Sequence, residues 1–251
     1  MAELYFAKKA PGKVPLFDIT NTEGLNKEDL IELHVSAPVL DRYPGRWQKA
    51  LGSRVFVEWW KGLDPQFDPS EIWIDEIDLR GDEVLFAYIR TKVKQKTRLQ
   101  RVMLRGNTSA VLLILSCDGK KYAVLVEQPR LATGEWGSIE IIAGMLDNGT
   151  FSGVAVREVA EETGVVIREE DLVLLQEKAV ALSCGASDER VSLYRVEKEV
   201  SAAELRDIQG RIAGNPEEGE KTRVLVVPIE EVYPLICGDA KSLLAYLLYT
   251  R

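Results

Sequence analysis

The sequence predicts an α/β protein in two parts, and three observations carry that reading. Residues 109–115 form an unbroken apolar run ending at Cys117-Asp118-Gly119, which reads as a buried strand followed by a turn. Residues 71–79 alternate apolar and polar side chains, the pattern of a half-buried strand. Residues 240–249 carry an apolar stripe at helical spacing and close the chain as a helix. Residues 1–104 read as a β-rich region and residues 105–251 as a second domain of strands and helices.

Along the first part, residues 54–61 (R-V-F-V-E-W-W-K) suit either a short helix or a buried strand. The strand at 71–79 runs into Arg80-Gly81-Asp82, a turn signal, and residues 83–89 return as its hairpin partner. Residues 90–101 (R-T-K-V-K-Q-K-T-R-L-Q-R) interleave cations with Thr, Val and Leu, as an exposed strand or hairpin does. Four of the five tryptophans, Trp47, Trp59, Trp60 and Trp73, fall here, either as core or as a subunit interface. His34, the one histidine, reads as structural. The second part begins near Arg105-Gly106. After the strand at 109–115, residues 121–128 form its partner and 139–142 a third strand. Further strands are expected at 172–175, 180–182, 190–196 and 224–227.

Between the third strand and these lies the segment with the most chemistry. Residues 157–165 read R-E-V-A-E-E-T-G-V, placing Glu158, Glu161 and Glu162 on one face of a helix at i, i+3 and i+4. Anions so spaced repel and weaken an isolated helix, whereas a hard divalent cation such as Mg²⁺ takes carboxylate oxygens as ligands. Gly164 ends the helix, because the left-handed conformation after a last turn favours glycine. The bland alternative is a solvated acidic face with an Arg157–Glu161 pair.

The flanking residues decide between these. The stretch from Gly144 to Val165 resembles the Nudix box, G-x5-E-x7-R-E-U-x-E-E-x-G-U with U aliphatic. Gly144 supplies the first glycine, and residues 157–165 match the second half throughout. Thr150 stands where the box has its first glutamate, and one residue is missing between it and Arg157. Outside the box, residues 126–130 (V-E-Q-P-R), 140–145 (E-I-I-A-G-M) and 183–190 (S-C-G-A-S-D-E-R) are similar to the branch that hydrolyses ADP-ribose and ADP-glucose. Residues 151–158 are similar to plant-type ADP-sugar diphosphatases. The resemblance covers about residues 106–251 and is faint before that.

It implies an α/β/α sandwich with a mixed sheet, and Mg²⁺-dependent hydrolysis of a nucleoside diphosphate sugar, Mn²⁺ being a possible substitute. Glu158, Glu161, Glu162 and the carbonyl of Ala143 would hold the metal, and Arg157 would orient a glutamate. Glu189 matches the general base, with Asp188 beside it as the alternative. Arg130, Glu140 and Met145 match substrate-binding positions. The resemblance also implies a homodimer whose N-terminal region helps build the site. A UDP-sugar diphosphatase is the neighbouring alternative. A non-catalytic nucleotide-sugar binding module would be expected to have lost box glutamates, and all three metal-binding ones are present.

Composition narrows the partners. The chain of 251 residues carries a net charge of −8, which gives nucleic-acid binding no electrostatic support. No apolar run approaches 18 residues, so no transmembrane helix is expected, and Met1-Ala2-Glu3-Leu4-Tyr5 does not open a secretory signal. Cys117, Cys184 and Cys237 are odd in number and far apart, as expected of reduced thiols in a cytoplasmic enzyme.

Overall fold

The computed structural model describes residues 4–7, 30–146, 150–214 and 221–251. The chain divides into two units, Met1–Gly106 with Ser183–Glu189, and Asn107–Leu182 with Arg190–Arg251.

In the first unit, strands β1 (Leu4–Ala7), β2 (Leu30–Val35), β3 (Pro69–Arg80), β4 (Glu83–Val93) and β5 (Gln100–Leu104) pair in chain order. Only β2 and β3 run parallel. Helices α1 (Ala37–Arg42), α2 (Lys49–Gly52) and α3 (Arg54–Gly62) lie between β2 and β3 in the chain. Of the two readings open for residues 54–61, the helix is correct. Ser53 caps α3 by accepting from the Phe56 amide, and Val55, Phe56, Trp59 and Trp60 form an apolar face at helical spacing. That face packs with Ile72, Ile74 and Ile77 of β3 and Ala87 and Ile89 of β4. The pairing of β3 with β4 shifts register at three places, and the shift between Ile74 and Glu76 resets the phase, so that Ile74 and Ile77 are both buried.

The tryptophans are mostly spent on this core. Trp47 is buried in it, and Trp59 and Trp60 pack against it. Trp73 stacks on His34 with ring centroids 3.8 Å apart, which gives the histidine its structural role. The basic segment forms the β4–β5 hairpin, with Lys92, Lys94, Lys96 and Arg98 exposed and Arg90 bound to Asp75 at 2.6 and 2.7 Å.

The second unit is built on a mixed sheet. Its strands are β6 (Thr108–Cys117), β7 (Lys120–Arg130), β8 (Glu135–Glu140), β9 (Ile142–Met145), β10 (Val173–Leu174), β11 (Val180–Ala181), β12 (Arg190–Glu199), β13 (Ile212–Ala213) and β14 (Thr222–Pro228). The order is β10-β12-β6-β7-β14-β13, with β9 also on β6, β8 on β7 and β11 on β12. Its helices are α4 (Phe151–Thr163), α5 (Ala202–Ile208), α6 (Tyr233–Ile236) and α7 (Ala240–Tyr249). β6 is apolar from Ala110 to Leu115 because both of its faces are covered. Val111, Leu113 and Leu115 join Ala155 and Val159 of α4 and Ile208 of α5. Ala110, Leu112 and Ile114 join Ile236 of α6 and Ala245 of α7. Helices therefore sandwich the sheet, and truncating one such leucine to alanine would cost about 2–5 kcal/mol.

Three readings need correction. Residues 139–142 are not one strand: β8 pairs with β7, β9 pairs with β6, and Ile141 between them gives its amide to Ser242 Oγ at 2.8 Å. Residues 172–175 and 180–182 supply only the two-residue strands β10 and β11, and Val173 and Leu174 are exposed where they pair with β12. Among the described residues, no helix is long and apolar enough to cross a membrane.

Candidate active site

Helix α4 carries the acidic cluster, and its ends are set locally. Thr150 is the N-cap, its side chain accepting the Gly153 amide at 3.0 Å. The residue standing in place of the first box glutamate thus starts the helix. The shortening lies between Thr150 and Arg157, in residues that form the first turns of α4. Gly164 is the C-cap at φ 74°, and its amide donates to the Ala160 carbonyl. Val154, Ala155 and Val159 bury the inner face against the sheet.

Burial sorts the three glutamates. Glu162 is only 4% exposed and Glu158 is half-buried on the same side, one turn earlier, while Glu161 faces solvent. Gly144 in β9 makes room for Glu158. A Cβ there would lie 2.0 Å from the Glu158 carboxyl carbon, so any side chain would expel that carboxylate. Ala143, the expected carbonyl ligand, adjoins Gly144 in the same strand, and Met145 ends the strand, half-buried and paired with Thr108. Arg157 Nη2 reaches Glu158 Oε1 at 3.1 Å.

Among the described residues, no group of three or more carboxylates, imidazoles or thiols is drawn together at ligating distance. Adjacent anions repel, and Glu158 turns onto Arg157. The donor set nevertheless fits a hard divalent cation. It is all oxygen, it stands on consecutive turns of one helix, and the space kept by Gly144 admits a carboxylate against β9.

Next to this cluster, Arg130 and Glu140 form a bidentate pair, Nε–Oε1 2.7 Å and Nη2–Oε2 2.8 Å. Lys241 of α7 donates to the same Glu140 Oε2 and, at 3.0 Å, to Asp239. Burial pushes the Glu140 carboxyl up, but hydrogen bonds from Arg130 and the charge and hydrogen bond of Lys241 outweigh it and hold it at about 2. The hydrogen bond from Glu140 raises Arg130, desolvation opposes it, and the charges of Glu140, Glu162 and Asp239 add to the rise. Arg130 therefore stands within electrostatic reach of Glu162. With Glu140 only 3% exposed and both oxygens bonded, it holds Arg130 in place, whereas the Arg130 side chain remains 43% exposed.

The remaining expected acids sit in Ser183–Glu189, which belongs with the first unit. Asp188 accepts the amides of Arg105 at 2.9 Å and of Gly106 at 3.3 Å, and its own amide donates to Met103. Burial pushes its carboxyl up against the pull of those amides. Asp188 anchors this loop, which argues against it as the base. Glu189 is half-buried, with Oε2 3.6 Å from Arg105 Nη1.

The NUDIX domain profile matches residues 106–247, more than half of the chain. The chain belongs to the Nudix family. It is 33% identical over 224 residues to Nudix hydrolase 14, chloroplastic, of Arabidopsis thaliana, covering 81% of this chain and 72% of that protein. It is 32% identical over 154 residues to the GDP-mannose pyrophosphatase of Enterobacter sp. (strain 638), covering 57% and 74% respectively. A solved structure described as an ADP compounds hydrolase superimposes with a TM-score of 0.48 at 17% identity, over 72% of this chain and 91% of that one.

Nudix enzymes generally use divalent metal ions, in keeping with the donor set of α4. Reasoning from this Nudix sequence missed Asp239, Lys241 and Ser242. Asp239 caps α7, accepting the Ser242 amide at 3.0 Å, and Ser242 in turn holds the β8–β9 break. The spacing Asp-x-x-Ser ahead of an apolar stripe signals such a cap, but nothing local shows what the capped helix holds.

Proposed function

We propose that this Nudix enzyme hydrolyses the diphosphate bond of a nucleotide sugar, with ADP-glucose or ADP-ribose as substrate. The products are a nucleoside monophosphate and a sugar phosphate. The observation that carries this reading is the Glu158 carboxylate seated against Gly144, on the face of α4 it shares with buried Glu162, with Arg130 in reach of Glu162. The sugar-nucleotide class draws support from the GDP-mannose pyrophosphatase relative and from residues 126–130, 140–145 and 183–190.

Glu158, Glu161, Glu162 and the Ala143 carbonyl would hold Mg²⁺, or Mn²⁺ in its place, which when bound neutralises the diphosphate and lowers the pKa of water. Arg157 keeps Glu158 oriented on α4. Glu140 and Lys241 fix Arg130, whose guanidinium then meets a phosphate or ribose oxygen. Met145 adjoins the bound nucleotide sugar. Glu189 takes the proton of the attacking water as its oxygen bonds to phosphorus and the bridging P–O bond breaks. The working enzyme is a homodimer with neither nucleic acid nor membrane as partner. The three cysteines, none in a disulfide, suit a reducing compartment, and we place the enzyme in the cytoplasm.

A panel of ADP-ribose, ADP-glucose, UDP-glucose, GDP-mannose, NADH and diadenosine polyphosphates, read by phosphate release after phosphatase coupling, tests the reading. An ADP-sugar should give the highest kcat/KM, and chelator should abolish turnover. Glu162→Gln should cost about 10²-fold or more in kcat. Glu189→Gln should cost roughly 10²–10⁴-fold, mainly in kcat. Full turnover by Glu162→Gln at saturating Mg²⁺ would refute the metal site. A Glu189→Gln enzyme that loses affinity but not kcat would make Glu189 a substrate contact.

A further inference from the structure

The C-terminal end of α4 poses an electrostatic problem that the helix does not solve by itself. Backbone carbonyls at a helix C-terminus carry partial negative charge, so cations stabilise that end and anions destabilise it. The last two turns of α4 hold Glu158, Glu161 and Glu162, and there is no basic residue in its last turn. The cation comes from another element. Arg211, immediately before β13, donates from Nη1 to the Thr163 carbonyl at 3.2 Å. Its guanidinium lies so close to Gly164 that a Cβ there would meet Nη1 at 1.8 Å and Cζ at 2.9 Å.

Glycine at 164 therefore serves two needs. It adopts φ 74°, and it leaves the face of the helix end open to a planar cation. The donor is itself held. The Arg211 amide donates to Ile208 of α5 at 3.2 Å, and its carbonyl accepts from Val224 of β14 at 2.9 Å. A second bond runs from the other end of β13, where the Gly214 amide donates to the Glu161 carbonyl at 3.3 Å. The turn bearing Glu161 and Glu162 is thus tied to the sheet at two carbonyls, that of Glu161 and that of Thr163, which follows Glu162.

We propose that Arg211 is a positioning residue for the metal-binding carboxylates, acting through the end of α4. This rests on the reading of Glu158, Glu161 and Glu162 as metal ligands. Two effects of removing Arg211 oppose each other. Loss of a nearby positive charge strengthens the field that attracts a divalent cation, but an exposed charge acts weakly through water. Loss of the tie lets the last turn fray, and ligands on a frayed turn must be ordered by the metal at the expense of affinity. The second effect dominates, so Arg211→Ala binds metal more weakly.

The test uses the full chain and reads Mn²⁺ binding by electron paramagnetic resonance without substrate, beside kinetics. Arg211→Ala should raise the Mn²⁺ dissociation constant about three- to tenfold, the scale of a lost helix-end cation. The Mg²⁺ concentration for half-maximal rate should rise in parallel, with the substrate KM at saturating Mg²⁺ within about twofold. Arg211→Lys, which keeps charge and one donor, should recover most of the loss. Unchanged or tighter Mn²⁺ binding, with melting temperature lowered equally with and without metal, would make Arg211 a structural cap only and overturn the proposal. If Arg211→Ala does not fold, Arg211→Gln decides: weaker Mn²⁺ binding supports it and unchanged binding overturns it. Failure of the wild type to bind Mn²⁺, or undiminished binding by Glu162→Gln, would instead sink the metal-site reading.

Discussion

Glu140 shows how far a residue's surroundings can depart from its motif. The lead-in to the box marks it as a substrate contact, yet both its oxygens are consumed by Arg130 and Lys241. Its partners lie 10 and 101 residues away along the chain, so no local pattern could disclose them. The consequence is a pH dependence with a definite sign. The folded carboxyl sits at about 2 against an ordinary 4.5, so its contribution to stability is complete above pH 4.5 and is lost as pH falls from there towards 2. At full strength this is on the order of 3 kcal/mol, since each pKa unit is worth about 1.4 kcal/mol. Glu140→Gln should lower stability at pH 7, by removing the carboxylate that Arg130 and Lys241 share and leaving Lys241 with Asp239 alone. It should also flatten the loss between pH 4.5 and 2. Urea titrations of both proteins at pH 7, 4.5 and 3 measure it, and parallel pH profiles would show that Glu140 is not the titrating group.

At the scale of elements, what was legible was what is local. Helix α4 could be read from Arg157 to Gly164 because its ligand spacing, amphipathic face and glycine stop all lie within two turns. The apolar run of β6 and the stripe of α7 announced themselves for the same reason. The break at Ile141 did not, because the change of partner from β7 to β6 depends on Ser242 in the last helix. The departure at Thr150 was legible as a departure, but its meaning was not. In the structure it caps α4, so the position contributes to starting the helix. Thr150→Ala should therefore cost about 1 kcal/mol, the usual worth of an N-cap. That lowers the melting temperature by about 2–4 °C in a chain of this size, with kcat/KM within about twofold of wild type. Thermal melts and steady-state kinetics on one preparation check both halves. A hundredfold fall in kcat at unchanged melting temperature would give Thr150 a role in the chemistry.

For the whole molecule, the structure moves the argument for self-association to a different place. The four tryptophans before residue 74 suited either a core or a subunit interface, but Trp47, Trp59 and Trp60 are core or packed on core, and Trp73 is stacked on His34. The fifth, Trp136 in β8, is 90% exposed, and Leu131, in the β7–β8 turn, is 96% exposed. Single exposed apolar residues are ordinary on a protein surface. An exposed tryptophan and an exposed leucine on one hairpin are a better fit to the desolvated centre of an interface, where aromatic residues are enriched and charged ones depleted. Sedimentation equilibrium of the full chain at micromolar concentration should report a homodimer, and a stable one should bury more than about 2,000 Å² in total. Replacing both Leu131 and Trp136 with serine should raise its dissociation constant at least tenfold, or about 1.4 kcal/mol, because buried tryptophans are common hot spots. A wild-type monomer would refute the dimer. A dimer indifferent to the double substitution would place the interface away from this hairpin.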